Sequence, residues 1–184
     1  MHSALGPTAD RGRASRRRSG FTLVELMIAV TVAALLGAIS LPSMAGLLGR
    51  HRLQAAAHHL QADLALARQE ALRRGQTAHL VFHAGADWCY ALSLGAAGDC
   101  RNRAGDGAPA LAVVRADRYP DVVLLQGAAM ALDARDGTSL LGQGRAEFAA
   151  LRGERLTVQL SHLGRATLCT PAAPIAGLPG CRPG

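Results

Sequence analysis

From residue 26 to residue 49 the chain carries no charged side chain at all: LMIAVTVAALLGAISLPSMAGLLG. Wound into a helix at about 1.5 Å per residue, that run is roughly 36 Å long, enough for the ~30 Å hydrocarbon core of a bilayer. Any fold for this sequence must take those 24 residues out of water. Arginines lie just before the run, so the positive-inside rule places the N-terminus in the cytoplasm and the bulk of the chain across the membrane. The same arginines explain the net charge of +7, since every cation is Arg and five of the 20 precede residue 20. Without those five and Asp10, 15 arginines face 12 acids, a net +3, so a strongly basic mature protein is not expected. With 49% hydrophobic and 18% charged residues, the chain is too apolar to remain disordered. Aromatics at 3% leave little from which to build stacking platforms for bases.

The cysteines fit an extracytoplasmic head. Cys89, Cys100, Cys169 and Cys181 are even in number and contain no C-x-x-C pair, which argues against a metal site and for disulfides in an oxidising compartment. Four cysteines allow three pairings and sequence does not choose among them. Closure of the short Gly- and Pro-bearing segments favours Cys89–Cys100 and Cys169–Cys181, each worth about 3 kcal/mol in the chain-entropy picture.

The junction SRRRSG–FTLVELMIAV admits three explanations: a conventional secretory signal cut near Ala45, a twin-arginine signal, or a leader cut between Gly20 and Phe21 with the apolar run retained. Glu25 separates them. A carboxylate one turn into a membrane segment costs about 2.5–3.5 kcal/mol on insertion scales, and neither secretory signal has a use for it. Cleavage before Phe21 creates an α-ammonium group, and that cation on a neighbouring subunit can neutralise Glu25. The plainer alternative is that Glu25 snorkels to the headgroups.

Gly20-Phe21-Thr22-Leu23-Val24-Glu25-Leu26, followed by the uncharged run, resembles the class III signal of type IV pilins and type II secretion pseudopilins. The resemblance implies a prepilin peptidase that cuts after Gly20 and N-methylates Phe21, with Glu25 acting in assembly. Pro42 stands where many pilins carry a helix-kinking proline. Residues 60–82, LQADLALARQEALRRGQTAHLVF, and Asp87-Trp88-Cys89-Tyr90 with the later Cys100 are similar to the branch containing the minor pilin FimT and the pseudopilin GspH. Ala91 stands where Gly is usual in FimT-like chains, and beyond about residue 100 only the general layout and Leu163-Gly164-Arg165 carry the likeness.

Past Arg50 the helix is expected to continue. Leu53, Ala57, Leu60, Leu64, Ala67 and Ala71 recur at steps of three and four, one apolar face of a helix ending at Arg74, with Gly75 as cap. Glu70 and Arg74 stand in favourable i,i+4 order. The pattern then shifts to period two, giving strands at 77–83, 89–94, 111–115, 122–126, 145–149 and 156–161, with Gly, Pro and Asp breaks between them. From Thr170, with four of the eight prolines, a loop held by Cys169 and Cys181 is expected. The fold class is α+β: a long N-terminal helix on a small, mainly antiparallel β-sheet head. Its regions are a leader (1–20), a transmembrane half-helix (21–49), an amphipathic half-helix (50–75) and an extracytoplasmic head (76–184).

No G-x-S-x-G, H-E-x-x-H or Walker loop is present, so no enzymatic activity and no cofactor are expected. His79 and His83 are too far apart along a strand to share an ion, His58 and His59 read as solvated or capping residues, and Trp88 reads as core. DNA capture, known among FimT-like minor pilins, uses a Gly-Arg-x-Arg motif in that family. Here Gly164-Arg165-Ala166-Thr167 and a lone Arg182 leave the second arginine missing, so weak binding at most is expected. Arg145, Arg152, Arg155, Arg165 and Arg182 could meet phosphates only if the fold brought them together. The sequence thus points to a structural minor pilin or pseudopilin in the inner membrane and then in a filament. Its partners would be prepilin peptidase and other pilins through the N-terminal helix. The four cysteines and the Trp-Cys-Tyr segment lean toward a pilus, with a type II secretion pseudopilus as the alternative.

Overall fold

Helix α1 runs over Leu23–Arg74 and opens on a side-chain cap. The Glu25 amide donates to Thr22 Oγ1 at 3.2 Å, and the Leu26 amide to the Thr22 carbonyl at 3.1 Å. It closes at Gly75, whose φ of +61° belongs to the left-handed region, while the Gln76 amide reaches back to the Ala71 carbonyl at 3.2 Å. That six-to-one bond with Gly at the reversing position is the Schellman closure. The structure, a computed structural model, describes residues 21–101, 110–171 and 177–181, and of residues 38–45 the backbone alone. The expected leader, with its Gly20 cleavage position, and Arg182 lie outside the described residues.

The chain divides into two units, Met1–Leu41 and Pro42–Gly184. In the first, every described residue from 21 to 37 is exposed, and Thr31 satisfies its hydroxyl within the helix on the Met27 and Ile28 carbonyls. A helix that is apolar on all sides has no solvated face to show to water. Among the described residues no helix is long and apolar enough to cross a membrane; the side chains of 38–45, in the middle of the uncharged run, are not among them.

In the second unit the stripe expected from the periodicity is the buried one: Leu53, Ala57, Leu60, Leu64, Ala67 and Ala71 are each at most 1% exposed. Burial of such a leucine contributes about 1.5–3 kcal/mol, and the alanines let the helix sit close. Among the described residues, eight strands form two antiparallel sheets. The first has the order β3-β2-β1-β5, built from Ala78–His83 (β1), Cys89–Leu94 (β2), Ala110–Arg115 (β3) and Met130–Leu132 (β5). The second has the order β4-β6-β7-β8, from Val122–Gly127 (β4), Gly144–Ala150 (β6), Arg155–Leu160 (β7) and Ala166–Cys169 (β8). Six of the eight strands coincide with those expected from alternation. Strand β5 is only three residues long, too short to display a period. It exists because β1 pairs with it, Ala78 opposite Leu132 and Leu80 opposite Met130. Strand β8 falls just ahead of the proline-rich tail and pairs with β7, Val158 opposite Leu168.

The two sheets and the helix meet at Trp88. Its ring is stacked near Tyr90 and Tyr119, with centroids 6.3 and 6.1 Å away, and takes Phe148 edge-on at 5.3 Å. Its Nε1 donates to the Val122 carbonyl at 2.8 Å, so the buried ring leaves no orphaned donor. The expectation of a core tryptophan thus matches its surroundings. Below it a polar pair is buried: Tyr90 Oη donates to Asp63 Oδ2 at 2.7 Å. Burial, then the Asp63 carboxylate, holds the Tyr90 phenol far above its ordinary range. His59 is not simply solvated, since its Nδ1 shares a 2.8 Å hydrogen bond with the Tyr119 hydroxyl. Removing the phenol strands a buried carboxylate. Tyr90→Phe is therefore expected to lower the unfolding free energy by about 1–3 kcal/mol, measured by urea titration of the oxidised protein; an unchanged midpoint and slope would contradict a structural role for the pair.

Candidate functional surfaces

Three surfaces carry the residues that sequence singled out. The first is the helix start, where Phe21 is 78% exposed and Glu25 is also exposed. Thr22 at the cap and Glu25 three residues later form the capping-box pattern, and a carboxylate here also meets the positive end of the helix dipole. Sequence reading valued Glu25 for its charge alone; the Thr-x-x-Glu spacing was the signal for its place in the cap.

The second is a groove of about 580 Å³ between helix α1 and the β7–β8 turn. Small residues line it, Ala62, Ala65, Gly164 and Ala166, together with His58, Arg68 and Arg165. Gln61 Nε2 donates across it to the Ala166 carbonyl at 3.1 Å. Arg68 lies along Gly137, where a Cβ would stand 2.6 Å from its Nε, and its Nη2 reaches the Asp136 carbonyl at 3.4 Å. The Arg68 Nε is buried with no partner. Gly164, at φ +70°, is needed here because a Cβ would collide with the Gly137 carbonyl oxygen. Arg68 stands in the sequence only as part of the helical stretch 60–82, and it comes beside Arg165 through the packing of helix on turn.

Among the described residues the named arginines do not converge into one patch: Arg145, opposite Gln159, lies toward the Arg165 end of β7, and Arg155 toward the Arg152 end. Arg152 sits on the β6–β7 turn and Arg165 on the β7–β8 turn, at opposite ends of β7, whose six residues span roughly 20 Å. Arg155 is drawn to Glu147, with Nη1 3.5 Å from Oε1. Arg182 lies outside the described residues.

The third surface surrounds the disulfides. Cys89 joins Cys100 and Cys169 joins Cys181, with Cα atoms 5.9 and 4.8 Å apart, so both short segments are closed. Around the second, Thr170 and Gly180 form a bridge, and the Cys181 amide donates to the Thr170 carbonyl at 3.0 Å. His83 Nε2 and Asp99 Oδ1 are 2.7 Å apart. With the Cys100 sulfur they are the one cluster of metal-ligand types among the described residues, but that sulfur is bonded to Cys89. Two ligands fall short of the three or four that hold a zinc ion.

Residues 56–164, more than half of the chain, match the family described as type II transport protein GspH, and residues 15–41 match the prokaryotic N-terminal methylation motif. The chain belongs to the GspH family of pilin-like proteins. The motif in this GspH-family chain covers the expected leader junction and the start of α1. No curated protein matches the sequence. Two crystal structures of the type IV minor pilin FimU of Pseudomonas aeruginosa are similar in shape. One has 20% identity and a TM-score of 0.48, covering 65% of this chain and 89% of FimU. The other has 19% identity and a TM-score of 0.46, covering 63% and 91%.

The Asp99 carboxylate is held below its ordinary value of 3.8, first by the Arg101 amide and then by the His83 imidazole. A depressed carboxylate favours the folded state above its ordinary pKa and loses that contribution as pH falls through the lowered one. An NMR titration is expected to place Asp99 below 3.8 and to keep most of the depression in His83→Gln; a return to the ordinary value in that variant would make the imidazole, not the backbone, the cause.

Proposed function

We propose that this chain is a non-catalytic filament subunit, a minor pilin or pseudopilin anchored in the inner membrane before assembly. Residues 1–20 are the leader, cut by prepilin peptidase between Gly20 and Phe21, and Phe21 becomes the methylated N-terminus. Residues 21–49 cross the bilayer with the N-terminus in the cytoplasm, and residues 76–184 form the head on the far side. What supports this most directly is the helix start, exposed and apolar on every side, joined to a methylation motif over residues 15–41. Such a surface is stable only in lipid or among the helices of neighbouring subunits. Glu25 is the one charge in that stretch and pairs with the α-ammonium of an adjacent subunit, because a carboxylate left alone there is strongly penalised.

The filament we favour is a type IV pilus, on the two disulfides and the Trp88-Cys89-Tyr90 segment. A type II secretion pseudopilus is the second reading, favoured by the description of the matching family. Capture of DNA has less in its favour, because Arg152 and Arg165 stand at opposite ends of a strand and only Arg68 shares the groove with Arg165. A gel shift of the head at moderate salt is expected to show weak retention that Arg165→Ala barely alters; tight retention lost in that variant would reverse this preference.

Glu25→Ala is expected to leave insertion and leader removal intact, with mature protein starting at Phe21 by mass spectrometry, while recruitment into sheared filaments falls at least about tenfold. Undiminished recruitment would refute charge pairing. Mature protein starting near Ala45 would refute the whole reading.

A further inference from the structure

The turn between β6 and β7 packs beside helix α1 at the place where the uncharged run gives way to charge. Arg50 Nε and Nη2 donate to Glu154 Oε1 at 2.9 and 2.6 Å, and Arg52 Nη1 donates to Asp121 Oδ2 at 2.7 Å. A Cβ at Gly46 would lie 2.6 Å from Arg152 Nη1, so that guanidinium occupies room left by the bare glycine. A cleft of about 200 Å³ lies between Gly46 and Gly49 on one side and Leu151 and Arg152 on the other. Leu151 is 72% exposed, more than any other large apolar residue described beyond residue 50. Arg152 is exposed and forms no ion pair among the described residues, while the two acids of the cleft are taken by Arg50 and Arg52.

We infer that the β6–β7 turn rests on the bilayer surface, with Leu151 at the boundary of headgroups and acyl chains and Arg152 against the phosphates of anionic phospholipid. The inference depends on the membrane-spanning reading above. A crossing takes about 20 residues; counted from Leu26, the first residue of the uncharged run, it is complete near residue 46. The headgroup layer beyond is roughly 5–8 Å deep on each side, which the next few residues traverse at about 1.5 Å each. Gly46 then stands at the inner edge of that layer and Gly49 and Arg50 within it, and the Arg50–Glu154 ion pair holds the turn at the same level. An exposed leucine next to an arginine whose aliphatic stem can lie along apolar surface suits that layer. A lone exposed leucine elsewhere would need no partner; here its position beside the end of the run decides what it meets.

The test uses the full chain in vesicles of phosphatidylethanolamine and phosphatidylglycerol, the four native cysteines oxidised and one cysteine added for an environment-sensitive fluorophore. Leu151→Cys reports the turn, Leu35→Cys the middle of the run and Leu72→Cys the last turn of the helix. Lipids carrying nitroxide in the headgroup or high on the acyl chain are expected to quench position 151 and spare position 72, while deep nitroxides quench position 35. Adding Arg152→Ala should shift the ratio of lipid-facing to water-facing label at 151 about fivefold toward water, as expected for one arginine at an anionic surface. If position 35 is quenched but 151 behaves like 72, the surface contact is refuted and the membrane span stands. The same holds if 151 is shielded only when other subunits are present, which would make the turn a protein contact. If position 35 is not quenched, the span itself falls and the contact with it.

Discussion

The head depends on one packing event, the apolar stripe of helix α1 closing over two sheets that share Trp88. Neither sheet is stable as a bare four-stranded layer with an apolar face in water, and the helix beyond Arg50 is held by what covers its leucines. Because the contact positions on the helix are leucines and alanines, the helix approaches the sheets closely at the alanines while its leucines fill the space around the aromatic group. The polar pair Tyr90–Asp63 sits inside this contact, and its hydrogen bond fixes the rotation of the helix against β2 where apolar contact alone would permit slippage.

Much of this was legible in the sequence, and the reasons differ by element. The helix stripe was readable because six residues repeat over about five turns, so the period is sampled many times. The end at Gly75 was readable because only glycine takes the left-handed conformation without strain. Strands β1, β2, β3, β4, β6 and β7 announced themselves by alternation. Strand β5 could not, since Met130-Ala131-Leu132 becomes a strand only when β1 offers it hydrogen bonds. The division into two sheets was also hidden, because it depends on which strands pair and not on where they lie in the chain.

The functional surfaces were legible in proportion to how local they are. The helix start is contiguous, so Phe21, Thr22 and Glu25 could be read together, although the cap formed by Thr22 went unnoticed beside the charge of Glu25. The groove with Arg68 and Arg165 joins residues 97 positions apart, and the clasp of Arg50 on Glu154 joins residues 104 apart. No spacing rule reaches that far. The pairing of His59 with Tyr119 belongs to the same class, and it turns an apparently solvated histidine into part of the helix–head contact.

The two disulfides also impose a sequence in time. Neither bond persists where thiols are kept reduced, so a head still on the cytoplasmic side lacks the links that fix the 89–100 segment and fasten the tail beside Thr170. On the proposed topology its edges would stay loose until export, and oxidation would act as a clock for maturation, making a rigid head the mark of a subunit that has already reached the far side and is fit to be built in.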